Sequence, residues 1–434
     1  SNMMPFWNDG QMKIVNGVGY ESQNLSHFTS SDYWATGSTN KSEMVSTGWL
    51  GRYYDEKHFD YNINPPEKPI AVQIGSNANL IFSGAQRSYA FAVANESRLE
   101  RVAERGEFFG LDNLPDCTHG DQLEYLRRVT NTTYDYAKVI NEAFKNSSDF
   151  DAYDNEIGLE KQLRLVARLI KGGLGSKIYM VSIGGFDTHN NQNQSNNDIN
   201  GRHTELIKEL SGAVDAFVSD INSDSIGDDI VGLTFSEFGR KAKQNNNRGT
   251  DHGEIAPMFV FGKPVKGGIS GNNVDLNEAN SNNNWQIQTV QYDYRQVFST
   301  LMQDFLGAND SVIDKTFFDH TNQLSFSDNK ISDIINPNSK LDPSCYSLGI
   351  SDVKNSNNLI VYPNPAVGLL FIKSSNLKEA EYSIYSLDAK LVMRNKFYFI
   401  SGEHKIDISN VNSGTYLFEL SSNSKKTYKK IIIN

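Results

Sequence analysis

Cysteine is nearly missing from this chain: only Cys117 and Cys345 occur in 434 residues, with neither a C-x-x-C pair nor zinc-ribbon spacing. A disulfide-rich scaffold is therefore excluded, and the two thiols either pair with each other or stay as buried thiols. No run of 18 apolar residues occurs, so a helix that crosses a bilayer is not expected. Basic charge is also in short supply, with 41 Lys and Arg against 52 Asp and Glu, a net −11 at pH 7. That balance argues against nucleic acid phosphates or anionic membranes as partners. A G-x-S-x-G elbow, a Walker loop and a dinucleotide fingerprint are all absent, which leaves serine hydrolase, nucleotide hydrolase and dehydrogenase readings without their usual warrant. The sequence opens on Ser1-Asn2 with no charged-then-apolar leader, so an export signal is expected to be absent or already removed.

What is present is enough for a packed interior. Apolar residues make up 38 % and glycine adds 33 positions, close to the globular norm. At about 100 to 200 residues per domain, the length leaves room for roughly two to four domains. Composition breaks near residue 327, where a stretch rich in Ser, Asn, Asp and Pro begins. The expected division is an α/β domain over 1–326, a linker over 327–356 and a small β domain over 357–434. The last 79 residues, 356–434, carry ten basic and six acidic side chains, +4, which leaves −15 for the rest. Their short alternating runs, such as Leu369 to Lys373, Ala380 to Tyr385 and Gly414 to Ser421, predict a small antiparallel β-sandwich.

Before the break, helices are expected over Leu123 to Lys145 and Ile157 to Lys171. A third, Gly201 to Ile221, places Leu206, Leu210, Val214, Phe217 and Ile221 on one face. Short apolar runs at Ile14 to Val18, Ala71 to Ile74, Lys177 to Ile183 and Ile230 to Phe235 predict buried strands. Such strands between amphipathic helices imply a three-layer α/β sandwich with a mostly parallel central sheet, and a site beyond the carboxyl ends of its strands.

Those ends carry the chemistry. The third strand runs into Gly184-Gly185-Phe186-Asp187-Thr188-His189, where a carboxylate and an imidazole follow two glycines. The fourth runs into Ser236-Glu237-Phe238-Gly239-Arg240, and a polar loop then leads to Asp251-His252. Mixed carboxylate and histidine ligands suit zinc, manganese or iron, and such an ion activates water or holds an oxyanion. Against this stands a plain structural role, with the acids binding loop amides and the histidines bonding the backbone. Arg240 is placed equally well to pair with a local acid or with a substrate anion. Near the start, Ser26-His27 lies where a helix over Phe28 to Thr36 begins. Ser26 is a candidate nucleophile there, or a helix cap with His27 packed beside it.

Seven segments in order strengthen the catalytic reading: GVGY (17–20), LSHFTSSDYWATG (25–37), GWLGRY (48–53), IGGFDTHNNQ (183–192), TFSEFGR (234–240), GTDHG (249–253) and VKGGISG (265–271). Together they resemble the bacterial family known as domain of unknown function 1501, which is similar to the alkaline phosphatase and sulfatase superfamily. The resemblance implies an α/β sandwich, a divalent ion such as zinc, manganese or calcium, and an anionic ester as substrate. It also implies metal ligands at Asp187, His189, Glu237 and His252 and a nucleophile at Ser26; Asp251 beside His252 joins the candidate ligands, and His27 beside Ser26 the candidate catalytic residues. Two departures accompany it. The sequence reads as starting after the superfamily's first strand, whose end bears a metal-binding acid, and Phe238 stands where a histidine often follows the second-strand acid.

The tail has its own resemblance. VYPNP (361–365), NVNSGTY (410–416) and KKII (429–432) are similar to the type A C-terminal sorting domain of the type IX secretion system of Bacteroidetes. That implies the secretion machinery as partner through 357–434 and a secreted or cell-surface location. Two functions follow as expectations: a secreted metal-dependent hydrolase of phosphate or sulfate esters, or a non-catalytic surface binding protein that keeps a degenerate hydrolase fold.

Overall fold

A computed structural model describes residues 2–39, 45–58, 61, 65–112, 114–115, 117–154, 156–194, 200–317, 325–340, 360–373, 379–386, 390–399, 403–422 and 425–434. The chain forms two compact units, one of residues 1–53, 68–107 and 133–343, the other of residues 54–67, 108–132 and 344–434. Its helices are α1 (Met4–Asn8), α2 (His27–Thr36), α3 (Trp49–Lys57), α4 (Glu96–Arg105), α5 (Thr118–Lys145), α6 (Gly158–Lys171), α7 (Arg202–Ser223), α8 (Tyr294–Asp304) and α9 (Asp310–Thr316).

The first unit is mixed α/β. Strand β1 (Met12–Gly19) is the hub of one sheet, and β2 (Ala71–Ile74), β3 (Ala90–Val93) and β4 (Ile178–Met180) form a second, all-parallel one. Further along come β5 (Gly232–Leu233), the hairpin β6 (Gly239–Gln244) and β7 (Thr250–Gly253), β8 (Ala256–Phe261), β9 (Gly268–Ser270) and β10 (Tyr292–Asp293). In the first sheet β1 runs antiparallel to β8 and parallel to β9 and β10, and β5 pairs antiparallel with β8. The four strands expected to share one mostly parallel sheet therefore occupy two separate ladders. Strand β8 escapes the sequence pattern because Pro257 interrupts it. The register shifts between Val15 and Val18 opposite that proline, and a bulge is where a strand tolerates a residue without an N–H.

The amphipathic faces behave as their periodicity requires. On α7, Leu206, Val214, Phe217 and Ile221 are buried, and on α6 the same holds for Leu159, Leu165, Val166 and Leu169. Residues 327–340, expected as the start of a linker, instead pack onto the first unit. Ile334 and Ile335 are fully buried, Ile331 N donates to Thr300 Oγ1, and Ile335 bridges to Val265. Cys117 is exposed, whereas Cys345 and its proposed pairing lie outside the described residues.

In the second unit the tail forms a sandwich-like, largely antiparallel array of seven strands. They are β11 (Ile360–Val367), β12 (Leu369–Lys373), β13 (Glu379–Ser386), β14 (Leu391–Tyr398), β15 (Glu403–Asp407), β16 (Gly414–Ser422) and β17 (Lys425–Ile433). Alternation sends Ala380, Tyr382 and Ile384 inward, where they join Leu370, Ile372, Phe418 and Ile431 in one core.

Candidate metal centre

Three chain segments meet at the candidate centre. The segment after β4 brings Asp187 and His189, the segment after β5 brings Glu237, and β7 brings Asp251 and His252. The hairpin β6–β7 is strapped to the Asp187 segment by Thr250 N to Thr188 O and Asn191 N to Asn247 O. Gly249 permits this approach, since a Cβ there would lie 2.2 Å from the His189 carbonyl carbon. At the other end, Gly185 has φ +94°, a left-handed turn that glycine adopts without strain. The fourth contributor is the start of α2, with Leu25 and His27.

Asp187 is the point of convergence. Its Oδ1 lies 3.0 Å from His189 Nε2 and 3.0 Å from His252 Nε2, and its Oδ2 lies 3.3 Å from His27 Nε2. The two Nε2 atoms of His189 and His252 are 2.9 Å apart. Each ring is held from behind through Nδ1: His252 by the Leu25 carbonyl at 2.8 Å, His189 by Asp251 Oδ1 at 3.2 Å and His27 by Glu237 Oε1 at 2.6 Å. A carbonyl or an ionised carboxylate only accepts, so all three Nδ1 atoms carry a proton, and it is the Nε2 atoms that face Asp187.

The supports of this arrangement are polar and specific. Gln23 Nε2 and Ser30 Oγ both donate to the Glu237 carbonyl, at 2.8 and 2.6 Å, and Tyr20 Oη lies 3.0 Å from Ser30 Oγ. Asn245 donates to Asp251 Oδ1 at 3.1 Å. Arg240 reaches Asp187 Oδ1 through Nη1 at 2.6 Å and Thr250 Oγ1 through Nε at 3.1 Å, with its Nη2 on the Thr250 carbonyl. One wall is apolar: the buried Phe238 ring is 4.3 Å from that of His252 and 4.8 Å from that of His27.

Charge follows from these contacts. Burial opposes ionisation of Asp187, but hydrogen bonds from Arg240, His252 and His27 and the charge of His189 outweigh it and bring the carboxyl down to about 2. The hydrogen bond to Glu237 raises the His27 imidazole above its ordinary value, with burial opposing and Asp187 assisting. Asp251 is lowered, first by Asn245 and then by His189.

Every sequence-derived residue except Ser26 thus takes part in one bonded cluster, and His27, Asp187 and His252 each present a ligand atom within 4.8 Å of the others. Ser26 is exposed and has the extended backbone of an N-cap, yet its side chain makes no capping bond. The reading of Ser26 as a helix cap is not supported by that geometry. Sequence reasoning missed the Leu25 carbonyl, a backbone acceptor without a side-chain signature, and Asn245, which sits inside what read as a plain polar loop.

A family described as protein of unknown function (DUF1501) matches residues 13–303. The chain belongs to that family. Residues 360–434 match a secretion system C-terminal sorting domain, so this DUF1501 protein is secreted or displayed at the cell surface and engages the type IX secretion machinery through its tail. Among the described residues no helix is long and apolar enough to cross a membrane. No curated protein matches the chain at a significant level.

Proposed function

We propose that this DUF1501 protein is a secreted metal-dependent hydrolase of phosphate or sulfate esters, on an alkaline phosphatase-like three-layer α/β sandwich. The parallel strands β2, β3 and β4 and the position of the cluster just past β4 and β5 support that fold reading. One observation carries the function: three imidazoles turn Nε2 toward a single carboxylate while their Nδ1 atoms are all engaged. With both Nδ1 atoms protonated and both rings neutral, the two Nε2 lone pairs at 2.9 Å repel each other, and either an imidazolium donating to its neighbour or a cation between the rings relieves this. Acceptors behind imidazoles are the usual outer partners of metal-bound histidines, which favours the cation.

His27, Asp187 and His252 would hold the ion, with His189 as a further nitrogen ligand. Zinc, manganese and calcium remain the candidates, and mixed N and O donors favour the first two. In this reading Glu237 and Asp251, expected as ligands, instead fix the tautomer of His27 and His189. A bound divalent ion would supply a Lewis acid for the ester oxygen. Ser26 keeps a hydroxyl free of capping duty at the mouth of α2, between two residues of the cluster, and is the candidate attacking group. Arg240 and Lys241, the latter 3.7 Å from Asp251, offset acidic charge that would repel an anionic ester.

The second reading, a non-catalytic binding protein, is favoured by Phe238, an apolar ring against His252 and His27 at the position where the resemblance would place a histidine. A panel of phosphate and sulfate monoesters assayed with Zn, Mn and Ca separates the two. Turnover that falls at least about 100-fold in Asp187→Ala and His252→Ala supports the hydrolase; bound metal with no turnover selects the binding protein; folded variants with full activity would reject the site.

A further inference from the structure

Away from the metal cluster, Lys13 is a buried lysine with no bonded partner among the described residues. It lies in the middle of β1, between Val260 of β8 and Gly268 of β9, and is 5 % exposed. Lysines are almost never buried to that degree unless paired. Two charged groups act on it at longer range, Asp333 favourably and Lys266 unfavourably, but these two bind each other at 2.9 Å. Burial therefore dominates and lowers the Lys13 ammonium below its ordinary value.

Lys13 borders a cavity of about 380 Å³ together with Ser270, Tyr292, Lys330 and Asp333. Lys330 is engaged with Asp304 at 3.1 Å and Lys340 with the other oxygen of Asp304 at 2.8 Å. Across this corner four lysines, 13, 266, 330 and 340, face two aspartates, 304 and 333, an excess of two positive charges. Among the described residues the hydroxyls of Ser270 and Tyr292 have no protein acceptor, so three donors border one cavity with their hydrogen bonds unspent. A largely buried lysine whose ammonium opens onto the cavity, with free hydroxyl donors beside it in locally positive surroundings, is complementary to an anion with several acceptor oxygens.

We propose that this cavity is a second, separate binding site for a small tetrahedral oxyanion, phosphate or sulfate, with Lys13 as its charged anchor. The site is independent of the metal reading, because none of its residues belongs to the Asp187 cluster. An anion there stabilises the fold by mass action, since the unfolded chain has no such site. It also explains how a β1 lysine is tolerated in an interior position that an apolar residue would otherwise fill.

The test uses the full chain, with inorganic phosphate, inorganic sulfate and acetate as titrants against a sodium chloride control of equal ionic strength. Four proteins are compared by calorimetry and thermal unfolding: wild type, Lys13→Met, the double variant Ser270→Ala with Tyr292→Phe, and Asp187→Asn. The expected result is saturable phosphate or sulfate binding to wild type and to Asp187→Asn. Binding should be weakened at least about tenfold in Lys13→Met and several-fold in the double variant. Lys13→Met should also melt higher than wild type in anion-free buffer, because it removes a buried charge with no bonded partner. Equal anion affinity in wild type and Lys13→Met overturns the proposal, as does the absence of saturable binding to wild type. Should Lys13→Met fail to fold, the double variant decides, and unchanged affinity there overturns the proposal too. Loss of all phosphate binding in Asp187→Asn would assign the anion to the metal cluster and likewise reject a second site. Acetate binding as strong as phosphate would reject the tetrahedral specificity.

Discussion

Asp187 accepts contacts from three imidazoles and a guanidinium, and the acceptors behind those imidazoles set how sharply each side chain matters. Glu237→Ala releases His27 Nδ1 without touching the inward-facing nitrogen. The expected loss in zinc or manganese affinity is about 10–100-fold, the usual cost of an outer partner, read by competition with a chelator. Ser26→Ala should leave metal content and melting temperature unchanged while abolishing ester turnover, because Ser26 makes no capping bond whose loss normally costs about 1 kcal/mol. His58 makes a separate prediction. Burial, assisted by Lys57, depresses its imidazole to about 4 from 6.5. The unfolded chain therefore binds the extra proton between those values, so the contribution is complete above about 6.5 and is lost as pH falls through about 4. Urea unfolding at pH 7 and pH 4.5 should show a smaller acid loss for His58→Gln than for wild type.

The helix that carries His27 is held by aromatic packing. Trp34 on α2 stacks on Tyr294 of α8 at 4.3 Å and meets Phe298 at 6.3 Å, and Tyr294 Oη donates to the Tyr33 carbonyl at 2.6 Å. Trp34→Ala should cost about 3–5 kcal/mol in denaturant unfolding. Elements of this kind were legible in sequence: α6 and α7 display their buried faces by periodicity, and β1 and β2 stand as apolar runs. Other elements were not. The β6–β7 hairpin consists of glycine and polar residues apart from Ala242, so no apolar alternation announces it, yet it delivers Asp251 and His252. Strand β8 was hidden by Pro257. Which residues form the cluster could be read from Asp, Glu and His at strand ends; which nitrogen faces inward could not, because that depends on backbone and carboxylate partners far away in sequence.

Across the whole molecule, the family match ends at residue 303 and the sorting domain begins at 360. The packed residues 327–340 lie between them. Proteolysis under native conditions should cut within the Ser-, Asn- and Asp-rich stretch 341–358 and spare 327–340, whose isoleucines are buried. Mass spectrometry of the fragments checks this, and early cleavage inside 327–340 would count against the packing described. The central claim is that the Asp187 cluster holds a divalent ion, and anomalous scattering from crystals grown with zinc or manganese tests it most directly. The expected result is a peak about 2.0–2.2 Å from His252 Nε2, His27 Nε2 and a carboxylate oxygen of Asp187. Imidazoles still bonded to Asp187 in crystals without any peak between them, at neutral pH and saturating metal, would contradict it.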